Sequence, residues 1–400
     1  MVGATITPSW LERLEEQVNV DVDWMDPAFI QSLPITPHDM TSNQVHVHAQ
    51  LENPINRELI AKVAREYKDR GWLATYTRIA VLLCKRSIDY ISGRVLLQVS
   101  PSEAYNGEKV LEHARLYAKE FESVGISKDR FCIKIPSTGP ALSACPILQA
   151  EGIQTLGTAC FSIAQAIAAS QAGCLFISPY FNGMKIISFL TRRLVSSCFA
   201  TSAKATINDL FVFLPEIRAN LDLTLWPNVE DPATQHPFSA RLIQMLETYR
   251  RLYKETGKQQ PLIKNANFIS AKEALAQGEI GVHSATVSKE VLEELSKLPY
   301  NDTCLPGSGS APKPQYPGYH NTMTTPKRLQ YLARIDPLVS DWDGKLASTD
   351  IDYLGNNGAA LEDAIKADPI ATARLNDALQ LFVKVENESK ALIEKAILEV

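Results

Sequence analysis

Short apolar or β-branched runs alternate with helical periodicity along most of the chain. The pattern predicts strands near 17–23 (QVNVDVD), 38–42 (HDMTS), 94–100 (RVLLQVS) and 130–136 (RFCIKIP). Four more are predicted near 153–159 (IQTLGTA), 174–180 (CLFISPY), 260–266 (QPLIKNA) and 280–286 (IGVHSAT). Helical patterns separate most of them, for example at 107–124, 138–151, 161–172 and 237–257. Eight strands with intervening helices is the count of an α/β (β/α)8 TIM barrel, with an open doubly wound sheet as the alternative. The second strand is the weakest of the eight, being mostly polar.

After 298 the pattern changes. The stretch 299–358 is rich in Pro, Gly, Ser and Asn, and reads as a long loop-rich excursion. Beyond it, Asp368-Pro369 is a cap followed by proline at the first helical position. Leu375, Ala378, Leu379, Phe382 and Val385 then recur on one helical face. The expected organisation is a barrel over 1–298, an insertion over 299–358, and a helical segment over 359–400 belonging to the same domain.

The apolar fraction of 45% and charged fraction of 21% exclude wholesale disorder. A net charge of −5 leaves no basic surplus to displace counterions, so nucleic acid is not expected as a partner. No run of about 18 uncharged apolar residues occurs, so no membrane association is expected either. The first residues, MVGATITPSWLERLEEQ, lack a basic segment followed by an apolar run, and no export signal is read there. Seven cysteines without a CxxC pair then read as reduced thiols in a cytoplasmic protein, mostly filling the core, Cys132 among them.

The fourth run carries the chemistry. Side chains alternate across a strand, so Phe131, Ile133 and Ile135 share one face and Cys132, Lys134 and Pro136 the other. With the apolar set against the helices, Lys134 points into the barrel, where loss of water favours its neutral amine. A neutral amine on a rigid strand is what Schiff-base formation with a ketone requires; a lysine paired with an acid is the bland alternative. In the first run Asp21 and Asp23 share a face. Asp23 lies nearer the C-terminal mouth and is the candidate for proton transfer, while Asp21, a layer deeper, is expected to pair with a buried cation. Ser178 and Tyr180 share a parity at the same rim.

The block IKIPSTGPALSACPILQAEGIQTLGTACFSIAQAIAASQAGCLFISPY, residues 133–180, resembles the core of transaldolases, barrel aldolases that move a dihydroxyacetone unit through a lysine Schiff base. DVDWMD (21–26), TSNQ (41–44), VEDP (229–232) and the segment 367–397 are similar to further parts of that family. The resemblance implies that Lys134 is the Schiff-base lysine and Asp23 the acid–base residue acting on the substrate's C4 hydroxyl. It also implies that Asn43 bonds the dihydroxyacetone unit, Thr158 holds a catalytic water, Ser178 meets a substrate hydroxyl, and Tyr180 stands for an aromatic that is usually Phe. An imine is its own electron sink, so no cofactor and no metal are implied. The HxH of His46 and His48 falls at a helix start, where i and i+2 do not share a face, and is not read as a metal site.

Three places depart from the family. Its third-strand glutamate is matched here by VSPSEAY, with Glu103 one step late, usable only if the strand has ended or bulged. The two arginines that clamp phosphate are missing: FNGMK follows Tyr180, and Asn267 and Ile269 stand at the serine and arginine places of the seventh strand. Lys185, Lys264 or Arg192–Arg193 remain as other sources of charge. The implied partners are sugars or sugar phosphates, by default sedoheptulose 7-phosphate and glyceraldehyde 3-phosphate as in the pentose phosphate pathway. An aldolase with an unphosphorylated substrate and a catalytically silent relative stand as alternatives. A homodimer is compatible with the sequence, which does not decide the oligomeric state.

Overall fold

Eight parallel strands pair in chain order until the last closes on the first. They are β1 (Asn19–Asp23), β2 (Met40–Thr41), β3 (Val95–Gln98), β4 (Phe131–Pro136), β5 (Thr155–Cys160), β6 (Phe176–Pro179), β7 (Leu262–Ala266) and β8 (Ser284–Ser288). In this computed structural model, which describes residues 7–183, 229–301, 319 and 324–400, the architecture is thus the (β/α)8 barrel and not the open sheet. The polar second strand is short, but its pairing with β1 runs further back: His38 N donates to Val20 O and Val22 N to Asp39 O.

Helices cover the outside of the barrel and side chains fill its inside, so nearly every strand residue is buried. Val20, Val22, Ile133, Ile135, Ile177, Ile263 and Val287 face outward into the core shared with the helices. Leu96, Cys132, Leu156 and Phe176 form a separate layer inside the barrel. Cys132 therefore fills the interior, and its parity places Lys134 on the inner face as well.

Helices Gly107–Ser123, Ile163–Gln171 and Pro237–Thr256 lie where the periodicity puts them. The single helix expected over 138–151 divides into Gly139–Ser143 and Cys145–Ala150, because Pro146 brings no N–H to continue the ladder. The loop-rich stretch also carries an element, a 3₁₀ helix at Lys327–Arg334 with Leu329 and Leu332 buried. A spacing of three puts both leucines on one side of such a helix. Gln244 Nε2 donates to Ile335 O at 2.7 Å, and Arg241 lies 3.0 Å from Asp336, which fixes this stretch along the helix Pro237–Thr256.

The terminal helix Pro369–Leu398 starts as the Asp368-Pro369 cap requires, with the Asp368 side chain accepting from Ala371 N at 3.0 Å. Arg241 holds Asp368 at 2.7 Å. Further along, Glu386 accepts from Ser102 beyond β3, and Ser389 lies 3.1 Å from His48 on the helix after β2. The helix thereby runs across the C-terminal end of the barrel, with Leu375, Ala378, Leu379, Phe382 and Val385 buried beneath it. Among the described residues no helix is long and apolar enough to cross a membrane.

Candidate active site

Among the described residues two lysines are buried inside the barrel, and their surroundings drive them apart. Lys264, on β7, donates to Asp21 Oδ2 at 2.9 Å and to Ser284 Oγ at 3.0 Å, and lies 2.7 Å from Asp39 Oδ2. Burial opposes its charge, but the fields and hydrogen bonds of Asp21 and Asp39 outweigh it and raise its pKa. His38 lies 3.2 Å from Asp39. Burial lowers the pKa of His38, yet bonds and charge from Asp21 and Asp39 carry it up to about 9. Two cations thus face two carboxylates at the deep end of the barrel. Asp21, His38 and Asp39 offer ligand atoms within 4.8 Å of one another, a grouping of metal-binding type, but the Lys264 ammonium already bridges both carboxylates. Asp21 therefore has the buried cation expected for it. The same bonds correct one sequence reading: Lys264 is committed to this cluster and is no anion clamp.

Lys134, on β4, is equally buried at 3% exposure but among the described residues has only a hydroxyl for company: its Nζ lies 2.9 Å from Thr41 Oγ1 on β2. Burial lowers its pKa, and the more distant charges of Asp23 and Asp21 oppose that without reversing it. A buried lysine without a carboxylate contact among the described residues is shifted toward its neutral amine. The bland reading, a lysine locked in an ion pair, describes Lys264 and not Lys134.

The strand ends around Lys134 gather most of the other expected residues. Asp23 closes β1, with its side chain 21% exposed at the mouth and its Oδ1 3.4 Å from His46 Nδ1. Thr158 on β5 pairs in register with Pro136 on one side and Ser178 on the other. Its Oγ1 lies 3.0 Å from the Tyr180 hydroxyl. Burial pushes the Tyr180 phenol up, with the Asp23 charge adding to it and the Thr158 bond opposing, so the hydroxyl stays protonated. Directly after Thr158 the β5–β6 register shifts, and Ala159 takes φ 55°, a strained bulge of the kind that re-aims side chains at barrel rims. Asn43 stands at the end of β2, where its Oδ1 caps the next helix by accepting from Val45 N at 2.9 Å. Its amide nitrogen is left for other bonds.

Two further expected residues have other neighbours. Glu103 sits in the 3₁₀ turn Pro101–Glu103, past the end of β3, and its charge is felt by Lys109 and Glu386. The carboxylates whose fields reach Lys134 are those of Asp23 and Asp21. Asn267, at φ 72°, is tied to the exit of β6, donating to Asn182 O at 2.6 Å while Asn182 Nδ2 donates to Asn267 O at 3.0 Å. Ile269 N donates to Glu273, whose pKa burial raises to about 8. Among the described residues this knot of amides gives an anion no cationic side chain. Lys185 and Arg192–Arg193 lie outside the described residues.

Sequence reasoning missed Gln98. It pairs in register with Lys134 across β3–β4, is 2% exposed, and neither its Nε2 nor its Oε1 has a hydrogen-bond partner among the described residues. Buried amides are normally satisfied, so this one, in register with Lys134, leaves both its donor and its acceptor open to another group. The signal was available: in RVLLQV, Gln98 shares the inward parity of Leu96 and lies nearer the C-terminal end of the strand than Arg94, as Lys134 does in FCIKI.

The family model described as transaldolase/fructose-6-phosphate aldolase matches residues 20–207. A transaldolase of Trichormus variabilis is 32% identical over 184 residues, covering 44% of this chain and 55% of that protein. A transaldolase of Gloeobacter violaceus is 31% identical over 185 residues, 44% of this chain and 47% of that protein. The chain spans about half the length of the curated relatives it matches. An IMP dehydrogenase/GMP reductase-like protein from Corynebacterium glutamicum superposes with a TM-score of 0.36 at 11% identity, covering 72% of this chain and 70% of that one, too loosely to bear on function. The matched span contains β1 to β6 and every residue grouped around Lys134; β7, β8 and the terminal helix lie beyond it.

Proposed function

We propose that this chain, similar to transaldolases over residues 20–207, is a lysine-dependent aldolase that transfers a dihydroxyacetone unit from a ketose to an aldehyde. The observation that carries the reading is the contrast between two lysines buried in one barrel, one neutralised by carboxylates and the other held by a single hydroxyl.

The Lys134 amine attacks the ketose C2 carbonyl to give a carbinolamine, which loses water to form the protonated imine. Asp23 then takes the proton from the C4 hydroxyl as the C3–C4 bond breaks. The electron pair moves into an enamine on Lys134 and the aldehyde fragment leaves. Addition of a second aldehyde to the enamine, return of the proton from Asp23, and hydrolysis of the imine complete the transfer. Thr158 and Tyr180, already bonded to each other, offer hydroxyls for the water of dehydration. Ser178 and the free amide nitrogen of Asn43 hold substrate hydroxyls. Gln98 can bind that water or a hydroxyl by both ends of its amide, but an amide neither takes up nor releases a proton near neutral pH, so proton traffic falls to Asp23.

Converting that amide to an acid is a direct check. Gln98→Glu sets a carboxylate in register with Lys134 and favours its ammonium form. The acid limb of the kcat/KM profile is expected to move to higher pH. An unmoved limb in the Q98E profile places the side chain away from the reacting amine.

A second reading concerns the substrate. Asn267 and Ile269 occupy the places of the family's serine and arginine and are bound to Asn182 and Glu273, which favours a ketose without phosphate at that end. One experiment tests both. The protein is incubated with fructose 6-phosphate, fructose or dihydroxyacetone, then reduced with borohydride and weighed intact. An adduct from any of the three supports the aldolase, and inorganic phosphate that competes only with fructose 6-phosphate supports an anion site. No adduct from all three sinks the aldolase reading and leaves a silent relative.

A further inference from the structure

Among the described residues, Asp23 has a neighbour that neither strand parity nor resemblance brought into the site. Asn43 begins the helix Gln44–Glu52, and the first turn carries His46 back over the end of β1. There His46 Nδ1 lies 3.4 Å from Asp23 Oδ1. Both atoms are buried, and neither makes a hydrogen bond to any other described group. His48, two positions on, turns away to Ser389 at 3.1 Å and Glu52 at 3.7 Å. The ring of His46 meets the Trp24 indole edge-on, centroids 5.8 Å apart, and Trp24 directly follows Asp23. The indole thus fixes the imidazole plane relative to the carboxylate.

We propose that His46 is a positioning residue for Asp23: its Nδ1–H holds one carboxylate oxygen so that the other meets the substrate's C4 hydroxyl. The proposal rests on the aldolase reading and deepens it. A carboxylate oxygen only accepts, so the facing nitrogen must carry the proton. At 3.4 Å the contact is long for a finished bond and short enough to close with a small torsion once substrate arrives. Side-chain exposures of 14% for His46 and 21% for Asp23 put the pair at the mouth, where a substrate hydroxyl can reach it. Donation by His46 orients Asp23, keeps it an acceptor, and disperses the charge it carries before it takes the proton. The proton itself goes to Asp23 and later returns to the product hydroxyl. The dyad therefore affects carbon–carbon cleavage and leaves attack by Lys134 untouched.

The test compares wild type, His46→Leu and His46→Asn for two readouts: borohydride trapping of dihydroxyacetone, and kcat and KM for whichever of fructose 6-phosphate and fructose the wild type cleaves faster. Leucine keeps the packing on Trp24 and loses the donor; the asparagine amide restores a donor near the place of Nδ1. The expected result is full trapping in all three proteins, kcat lowered roughly 10- to 100-fold in H46L with KM little changed, and most of that loss recovered in H46N. Wild-type kcat in H46L overturns the proposal, as does a loss of trapping in step with kcat, which marks a folding defect. Equal losses in H46L and H46N overturn it too. Failure of the wild type to trap any ketose is a different result: it removes the aldolase reading, and the dyad with it.

Discussion

Lys134→Met is expected to form no borohydride adduct and to lose roughly 10⁴-fold or more in kcat, as enzymes do on losing a covalent nucleophile, while melting at or above the wild-type temperature at neutral pH. The combination is what sets a reactive lysine apart from a structural one. Burial depresses the pKa of Lys134 below its ordinary 10.5, so between the folded and unfolded values the unfolded chain binds a proton that the folded chain does not. Stability then rises with pH across that window. Methionine fills the same space without this cost. Its advantage in melting temperature should be largest below the folded pKa and vanish above about 10.5. Intact mass after reduction, steady-state rates and melting curves at several pH values check the three parts. An adduct that survives in K134M moves the nucleophile elsewhere, and a variant that melts well below wild type makes Lys134 a structural residue.

Lys264→Met is expected to do the reverse, costing about 3–5 kcal/mol of stability by leaving Asp21 and Asp39 buried without their shared cation. Lys264 lies 2.9 and 2.7 Å from the two carboxylates, all three side chains being almost fully buried. With the lysine gone, His38 alone faces both, and the carboxylates resist ionisation. The deficit should therefore shrink as the pH falls and one of them takes up a proton, and Asp21→Asn in the same background should recover part of it. Urea denaturation at two pH values measures this. A K264M protein within about 1 kcal/mol of wild type rules out the account of this cluster as mutual neutralisation. The two lysine variants are expected to move stability in opposite directions, although the residues occupy the same barrel and are equally hidden from water.

What could be read from the chain was whatever depends on local spacing. Strand parity alone aimed Lys134, Asp21 and Asp23 inward, because a pleated strand leaves a side chain only two faces. The Asp368-Pro369 cap began a helix on its own chemistry. Eight alternations implied a barrel, since parallel strands with helical crossovers must bury both faces of their sheet. Residues that act through partners far away in sequence were hidden. Lys264 looked like a free charge until closure of the barrel brought Asp21 and Asp39, some 240 and 220 residues earlier, against it. His46 looked like half of an HxH pair until the angle of its helix over β1 gave it Asp23. Gln98 was passed over because charge draws the eye in a sequence, whereas its place in register with Lys134 shows only once β3 and β4 pair. The chain by itself thus determined the strand–helix alternation and the inward face of each strand, both set by short-range covalent geometry, while closure of the sheet into a barrel was seen only in the structure. Which of two buried lysines is charged was decided only in three dimensions, because the field at an amine depends on distances that chain closure alone sets.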